Sequence, residues 1–333
     1  MARIKTAING FGRIGRAAFK IALDSKNVEI VAVNDLTDNK TLAHLLKYDS
    51  VYGRFNKSVE ADGEHLIVGG RKIRSLSIKE PAELPWKELG VEVVLECTGA
   101  FRTKEKAGAH LTAGAKKVII SAPSKDSDTR TFVLGVNDKE YRGEEIVDNA
   151  SCTTNCVAPV MAIVMANWGV KKALMTTIHS YTADQNLIDG PHKDLRRARG
   201  AAINIVPTTT GAARATGETI PELKGKFDGL SVRVPTPNGS LSDFTIVLEK
   251  PTTKEEVIEA FKKAAKLPLY KGILEATEEP LVSSDIIGNP HSSIVDLSLT
   301  QVVDGDLLKI ISWYDNEWGY ANRLVEMVAV VGK

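Results

Sequence analysis

The chain has 333 residues, 43% of them hydrophobic and 26% charged, with a formal net charge of +1. That length suggests two domains and that composition an ordinary globular protein, while the balanced charge leaves no electrostatic footprint for nucleic acid. No apolar run approaches the ~18 residues that suggest a membrane span, and three cysteines are too sparse and odd a set for a disulfide framework, which points to the cytoplasm.

Residues 1–6 show no secretory h-region and run into a first strand at residues 4–9. Gly10-Phe11-Gly12-Arg13-Ile14-Gly15 follows at once, then a helix over residues 16–23 and a strand over residues 29–34 that ends at Asp35. The glycines alone are a weak signal. With strand, helix, second strand and acid in order they mark a dinucleotide-binding unit. Gly10 would permit the tight turn, Gly12 the approach of a pyrophosphate and Gly15 close helix packing, with the phosphates at the helix start. Asp35, 20 residues after Gly15, is placed to bond a ribose diol and repel a 2′-phosphate, which favours NAD over NADP.

Residues 39–86 break this rhythm and read as an insertion, with a short helix over 41–48 and small strands at Val59, 65–68 and 72–74. Val91-Glu92-Val93-Val94-Leu95-Glu96-Cys97-Thr98-Gly99 is a nearly continuous apolar strand, as parallel sheets require. Thr98 would lie at its ligand-binding carboxyl end, and Cys97 reads as core. Residues 103–113 read as a helix, and 116–121, 131–136 and 145–148 as strands. This alternation implies an α/β, Rossmann-type doubly wound parallel sheet.

Ala150-Ser151-Cys152-Thr153-Thr154-Asn155 sits near the midpoint, before a long apolar segment over residues 156–168. Ser151 is a natural helix N-cap. A thiol at that helix start meets unpaired amides and the positive end of the helix dipole, both of which favour the nucleophilic thiolate. A small buried hydrophobe is the plain alternative for Cys152. Residues 171–181 read as a strand containing His179, and residues 183–206 as a long polar loop of the kind that is functional or at an interface. Pro207-Thr208-Thr209-Thr210-Gly211 leads into a helical stretch. Strands are expected over 232–234, 240–249, 293–300 and 307–313, an amphipathic helix over 252–266 capped by Thr252 or Thr253, and a C-terminal helix over 319–331. Runs of strands with few helices imply an α+β second domain whose sheet is largely antiparallel.

A thiolate beside a dinucleotide unit can add to an aldehyde, giving a thiohemiacetal that is oxidised to a thioester. That chemistry needs a base suited to neutral pH and donors for the oxyanion. Of six histidines only His179 lies inside an apolar strand among small polar neighbours. His44, His65, His110 and His291 read as packing or surface residues, and His192 has no evident partner. Release of a thioester by phosphate needs hydroxyls, helix-start amides and arginines, which Ser151, Thr153, Thr208, Thr209, Thr210, Gly211, Arg197 and Arg233 can supply. Taken singly, each of these reads as a turn, a cap or a solvated charge rather than an anion site. No metal site is expected.

These motifs, with His179-Ser180-Tyr181-Thr182, the 191–199 run Pro-His-Lys-Asp-Leu-Arg-Arg-Ala-Arg, Arg233-Val234-Pro235-Thr236-Pro237 and Trp313-Tyr314-Asp315-Asn316-Glu317-Trp318-Gly319-Tyr320, resemble the phosphorylating glyceraldehyde-3-phosphate dehydrogenases of bacterial type over essentially the whole chain. The resemblance implies NAD, D-glyceraldehyde 3-phosphate and inorganic phosphate, with Cys152 as nucleophile and His179 as base. It implies that Thr182 and Arg233 hold the substrate's phosphate, that Ser151, Thr153, Thr210 and Gly211 hold the attacking phosphate, and that Arg197 serves these anion sites. Asn9, Gly10, Phe11, Gly12, Arg13, Ile14, Gly15, Asp35, Lys79, Thr98, Ser121, Asn316 and Tyr320 match its cofactor positions. It implies a homotetramer, with the 183–206 segment at an interface, and three stretches: residues 1–151 for NAD, 152–318 for catalysis, and 319–333 as a helix returning to the first domain.

Gly190-Pro191 stands where NAD-specific members carry Leu-Pro, and Ala183 replaces a common asparagine. Cys156, one turn after Cys152, reads as a packing residue rather than a redox partner. The runner-up activity is that of an erythrose-4-phosphate dehydrogenase, which hydrolyses its thioester. A reading from another class is a catalytically silent NAD-binding regulatory protein.

Overall fold

The computed structural model describes residues 2–333. The described residues divide into two units: residues 2–132, 138–150 and 321–333 in one, residues 133–137 and 151–320 in the other.

The first unit is built on a nine-stranded sheet. From one edge the strands are Arg130–Thr131, Ile146–Asp148, Lys117–Ile120, Val93–Glu96, Ile4–Asn9, Val28–Asn34 and Arg71–Leu76, all parallel, then His65–Val68 and Val59–Ala61, antiparallel. The central Val93–Glu96 strand is buried at every position, which explains its continuous apolar run. Helix Arg13–Asp24 starts at Gly12, and helix Asn39–Lys47 is capped by Asp38, whose side chain accepts from the Thr41 amide. The stretch read as an insertion adds three strands to one edge of the main sheet. Strand Arg71–Leu76 pairs with Val28–Asn34 in parallel register (Ala32 with Arg74) and satisfies backbone groups an edge would leave open.

Two expectations need correcting. Residues 103–113 form two four-residue helices, Lys104–Ala107 and Ala109–Thr112, meeting at Gly108, a poor residue for a helix interior. Of residues 131–136 only Thr131 is in a strand; the chain then turns, and the Asn137 side chain accepts the Val133 amide at 2.8 Å.

The second unit is a seven-stranded sheet in the order Val206–Thr209, Phe227–Val234, Val170–Ser180, Ser240–Leu248, Leu307–Tyr314, Ser293–Val303, Leu274–Thr277. Four neighbouring pairs are antiparallel and two parallel. Helix Cys152–Trp168 is buried almost all round, so it shows no amphipathic stripe. It shares a core with Met175, Phe244, Ile246, Val257, Phe261, Leu308 and Ile310. Helix Lys254–Ala264 carries a full capping box: Thr253 accepts from the Glu256 amide and Glu256 accepts from the Thr253 amide. Asp304 and Gly305 both have positive φ (50° and 75°) within the three-residue turn, residues 304–306, that closes the Ser293–Val303/Leu307–Tyr314 hairpin. Residues 183–205 hold no helix or strand, and Pro207-Thr208-Thr209 lies in an edge strand before helix Ala212–Thr219. The C-terminal helix is Trp318–Val331. No helix among the described residues is long and apolar enough to cross a membrane.

Candidate active site

In the first unit a crevice of about 440 Å³ opens at the carboxyl ends of the parallel strands. Asn9, Gly10, Gly12, Asp35, Lys79 and Thr98 line it. Gly10 has φ +92°, and a Cβ there would lie 2.6 Å from the Thr98 amide nitrogen, so only glycine fits. A Cβ on Gly12 would meet nothing within 4 Å, which leaves open space against the backbone at a helix start that no side chain caps. That cradle suits a phosphate group. Asp35 is fixed by the glycine turn itself: one carboxylate oxygen accepts from the Phe11 amide at 2.7 Å, the other from Thr37 at 3.0 Å. Arg13 is turned to other work, bonded to Asp49 at 2.7 Å with its guanidinium over the Tyr52 ring. Ile14 and Gly15 sit in the helix, and a Cβ on Gly15 would lie 2.1 Å from the Gly10 carbonyl oxygen. Ser121 hydrogen-bonds Cys97, whose thiol burial pushes up to about 12.

In the second unit, period-two alternation puts Ala173, Met175, Thr177 and His179 on one face of the Val170–Ser180 strand, buried, with Leu174 on the other. Helix Cys152–Trp168 shares the core on that face. Its first residue therefore meets the strand's histidine: Cys152 Sγ lies 3.5 Å from His179 Nε2. Ser151 caps the helix, its hydroxyl accepting from the Thr154 amide at 3.0 Å. Ala150, just before it, holds φ +56° while fully buried, its amide donating to Asp148 at 2.8 Å.

Parallel register sets Arg233 beside His179. The Arg233 Nη1 atom lies 3.1 Å from His179 Nδ1, and 3.2 Å from both the Ser180 carbonyl oxygen and the Thr182 hydroxyl. A guanidinium only donates. The shortest contact of the ring is Nδ1 to the Ser180 carbonyl, at 2.7 Å. We therefore assign the ring proton to Nδ1, donating to Ser180, with Arg233 donating to the carbonyl and hydroxyl and with the Nε2 lone pair facing the thiol. Burial and then the Arg233 charge hold His179 down to about 3, so the ring is a neutral acceptor. Burial pushes the Cys152 thiol up; Arg233 and the Thr153 and Cys152 hydrogen bonds at the helix start pull it down, in the expected sense but by less. Desolvation thus opposes the thiolate that the helix start alone suggests, and the neutral Nε2 of His179 stands beside the thiol as a proton acceptor.

The anion groups divide. Thr182 touches Arg233 directly. Thr210 accepts from the Ala212 amide at 3.2 Å, and Gly211 begins a helix with open space where a Cβ would project. Arg197 is already paired: it reaches Asp184, Thr208 at 2.9 Å and the Thr209 carbonyl at 3.1 Å. Asn316 Oδ1 accepts from Ser180 and Ser240 hydroxyls, both at 2.9 Å, which leaves Nδ2 as its outward donor. Tyr320 is buried. Thr153 contacts Tyr314, a residue the sequence reading missed. The Tyr314 hydroxyl bridges Thr153 at 3.0 Å and Thr177 at 2.8 Å, with its ring edge-on to His179. Cys156 is fully buried against Ser312, its thiol pushed up to about 12 by burial, as a packing residue should be.

A dinucleotide-type crevice in one unit and a thiol–imidazole pair in the other define an oxidoreductase of the thiol-dependent, dinucleotide-linked class. Comparison with known proteins narrows this. Residues 4–104 match the family model of the glyceraldehyde 3-phosphate dehydrogenase NAD binding domain, and residues 151–316 that of the C-terminal domain. The chain is 56% identical to proteins named glyceraldehyde-3-phosphate dehydrogenase from Mycobacterium avium and Mycolicibacterium smegmatis, covering 99% of each chain. It is 54% identical to the one from Streptomyces coelicolor, over 99% of this chain and 98% of that one. The chain belongs to the glyceraldehyde-3-phosphate dehydrogenase family.

Proposed function

We propose that the protein carries out NAD-dependent oxidative phosphorylation of D-glyceraldehyde 3-phosphate to 1,3-bisphosphoglycerate. The observation that carries this reading is the 3.5 Å approach of Cys152 Sγ to a neutral His179 Nε2, in a chain matched end to end by proteins of that name. NAD, when bound, supplies the acceptor for the two electrons of the oxidation. The Gly10–Gly15 turn, Asp35 and Lys79 would hold its adenosine and pyrophosphate.

His179 Nε2 takes the thiol proton as Sγ adds to the aldehyde carbon, and the imidazolium so formed is held by Nδ1 donating to Ser180. The proton passes to the new hydroxyl of the thiohemiacetal. On oxidation His179 takes that hydroxyl proton, and a thioester remains on Sγ. Phosphate attacks the carbonyl carbon, the C–S bond breaks, and the acyl phosphate leaves as the departing sulfur takes back the proton held on His179. Arg233 with Thr182 is suited to the substrate's phosphate, and Ser151, Thr153, Thr210 and Gly211 to the attacking one. Arg197 would have to exchange Asp184 for a phosphate, so Arg233 is the stronger candidate. Steady-state rates with D-glyceraldehyde 3-phosphate and erythrose 4-phosphate, with NAD and NADP, and with and without phosphate, test the reading. Phosphate-independent turnover favouring the four-carbon aldehyde would replace it with the erythrose-4-phosphate activity.

A homotetramer is part of the same reading. It is supported by Leu187, Ile188, Leu195, Ile203 and Ile205 in the 183–206 segment, each at least 70% exposed, and by Leu174 on the sheet. Three cysteines in a chain of this length support the cytoplasm as its compartment.

A further inference from the structure

Five side chains at and behind the crevice wall form a hydrogen-bonded series, of which only Asn9 and Asn34 line the crevice. They are Trp86, His110, Glu96, Asn9 and Asn34, none more than 4% exposed. A carboxylate in a buried strand is costly unless its lone pairs are filled. Glu96 has both oxygens filled. Oε2 accepts from Asn9 Nδ2 at 2.6 Å and faces His110 Nε2 at 3.0 Å; Oε1 accepts from the Thr98 amide at 2.8 Å and from the Thr98 hydroxyl. Among the described residues no lysine or arginine pairs with it.

Trp86 sets the polarity of the series. An indole N–H can only donate, and Trp86 Nε1 lies 3.0 Å from His110 Nδ1. Nδ1 is therefore the acceptor, the ring proton is on Nε2, and it points at Glu96. The 3.4 Å approach of Asn9 Nδ2 to His110 Nε2 is then two donors converging on one oxygen. On the far side Asn9 Oδ1 accepts from Asn34 Nδ2 at 2.7 Å, and Asn34 Oδ1 accepts from the Ile78 amide at 2.9 Å. Along the series from Trp86 and from Ile78 each link donates toward Glu96, while the second amide hydrogen of Asn34 returns to the Ile78 carbonyl at 2.9 Å.

We propose that Glu96 is a positioning residue for the cofactor: its carboxylate, facing a His110 ring whose tautomer Trp86 dictates, orients the Asn9 amide and the Thr98 backbone that shape the crevice. The proposal rests on the reading that this crevice holds NAD. Thr98 has little freedom to move without consequence, because its amide nitrogen is the atom a Cβ on Gly10 would strike. A shifted Thr98 displaces the glycine turn or narrows the crevice.

Glu96→Gln keeps the shape and removes the acceptor. Whichever way the new amide turns, its NH₂ faces donors: Asn9 and His110 on one side, Thr98 on the other. Isothermal titration of the full chain with NAD should show E96Q, folded by its thermal melt, binding roughly tenfold or more weakly than the parent, the order expected for a buried donor left unpaired. Cys152 alkylation by iodoacetamide without NAD should stay within about twofold, since no contact of Cys152 is removed. Adding Trp86→Phe frees His110 Nδ1 to carry the proton, makes Nε2 an acceptor for the new amide, and should restore roughly threefold or more of the lost affinity, a coupling that a merely structural role would not produce. The ¹⁵N shifts of His110 should move from the Nε2–H to the Nδ1–H tautomer in the double variant. NAD affinity of E96Q within about twofold of the parent, or a double variant binding no better than E96Q, would overturn the proposal. A parent that binds no NAD would overturn the cofactor reading and the proposal together. If E96Q does not fold, Trp86→Phe alone decides: mixed His110 tautomers with NAD binding weakened about threefold support it, and unchanged tautomer or unchanged affinity overturns it.

Discussion

His179 holds its two ring nitrogens to different partners, Ser180 behind and Cys152 in front, and that division makes it a base rather than a charged residue. His179→Asn should lower the acylation rate roughly 10²–10⁴-fold, the range for a positioned base, in a single-turnover measurement with aldehyde and NAD. Near-normal rates would remove it from the mechanism. Cys152→Ser should lose nearly all dehydrogenase activity while NAD titration stays close to the parent, because the crevice residues lie in the other unit. Asp35 is tied to the Phe11 amide, so its carboxylate is both aimed and anchored. Asp35→Ala should weaken NAD binding and narrow the NAD/NADP gap in paired titrations; an unchanged gap would assign cofactor choice elsewhere. Tyr314, missed from the sequence, meets Thr153 across 161 residues of chain, a separation no local pattern encodes.

Element by element, the legible parts are those whose signal is local. The Cys152–Trp168 helix announces its start with Ser151 and its burial with an unbroken apolar run, and both are found. The cap of Lys254–Ala264 was narrowed to two threonines, and the structure selects Thr253 because its hydroxyl and Glu256 satisfy each other's amides. Thr253→Ala should cost about 1 kcal/mol in denaturant unfolding, the usual loss for such a cap; Thr252→Ala should leave those two bonds intact. Residues 103–113 failed as one helix because Gly108 divides them. That the 59–76 strands extend the main sheet was not legible in the insertion, because pairing to an open sheet edge depends on a partner that the segment does not contain.

At the scale of the whole molecule, the 183–206 segment is the outstanding feature. It is long, lacks regular structure, and exposes large apolar side chains instead of burying them. Contiguous exposed apolar residues mark association surfaces. The homotetramer reading predicts that Ile203→Asp or Leu195→Asp lowers the mass observed by light scattering, with the thermal melt becoming dependent on protein concentration. A parent chain that is monomeric at micromolar concentration would end that reading.

The sequence by itself determined the alternation of elements, the glycine turn with its acid, the capped cysteine helix and the strand that carries His179. Each depends on residues within a turn or a strand of one another, where propensity, capping and period act directly. Register and burial were decided only by the tertiary structure. Arg233 stands beside His179 because two strands pair in one particular parallel register. The Cys152 thiol is pushed up rather than down because desolvation in the fold outweighs the helix start and the Arg233 charge. Glu96 reads from the sequence only as part of an apolar strand and His110 as a packing or surface residue; the fold brings Trp86, Asn9 and Thr98 around them. A hydrogen bond needs two partners in place, and for these residues the chain supplies the second from another element.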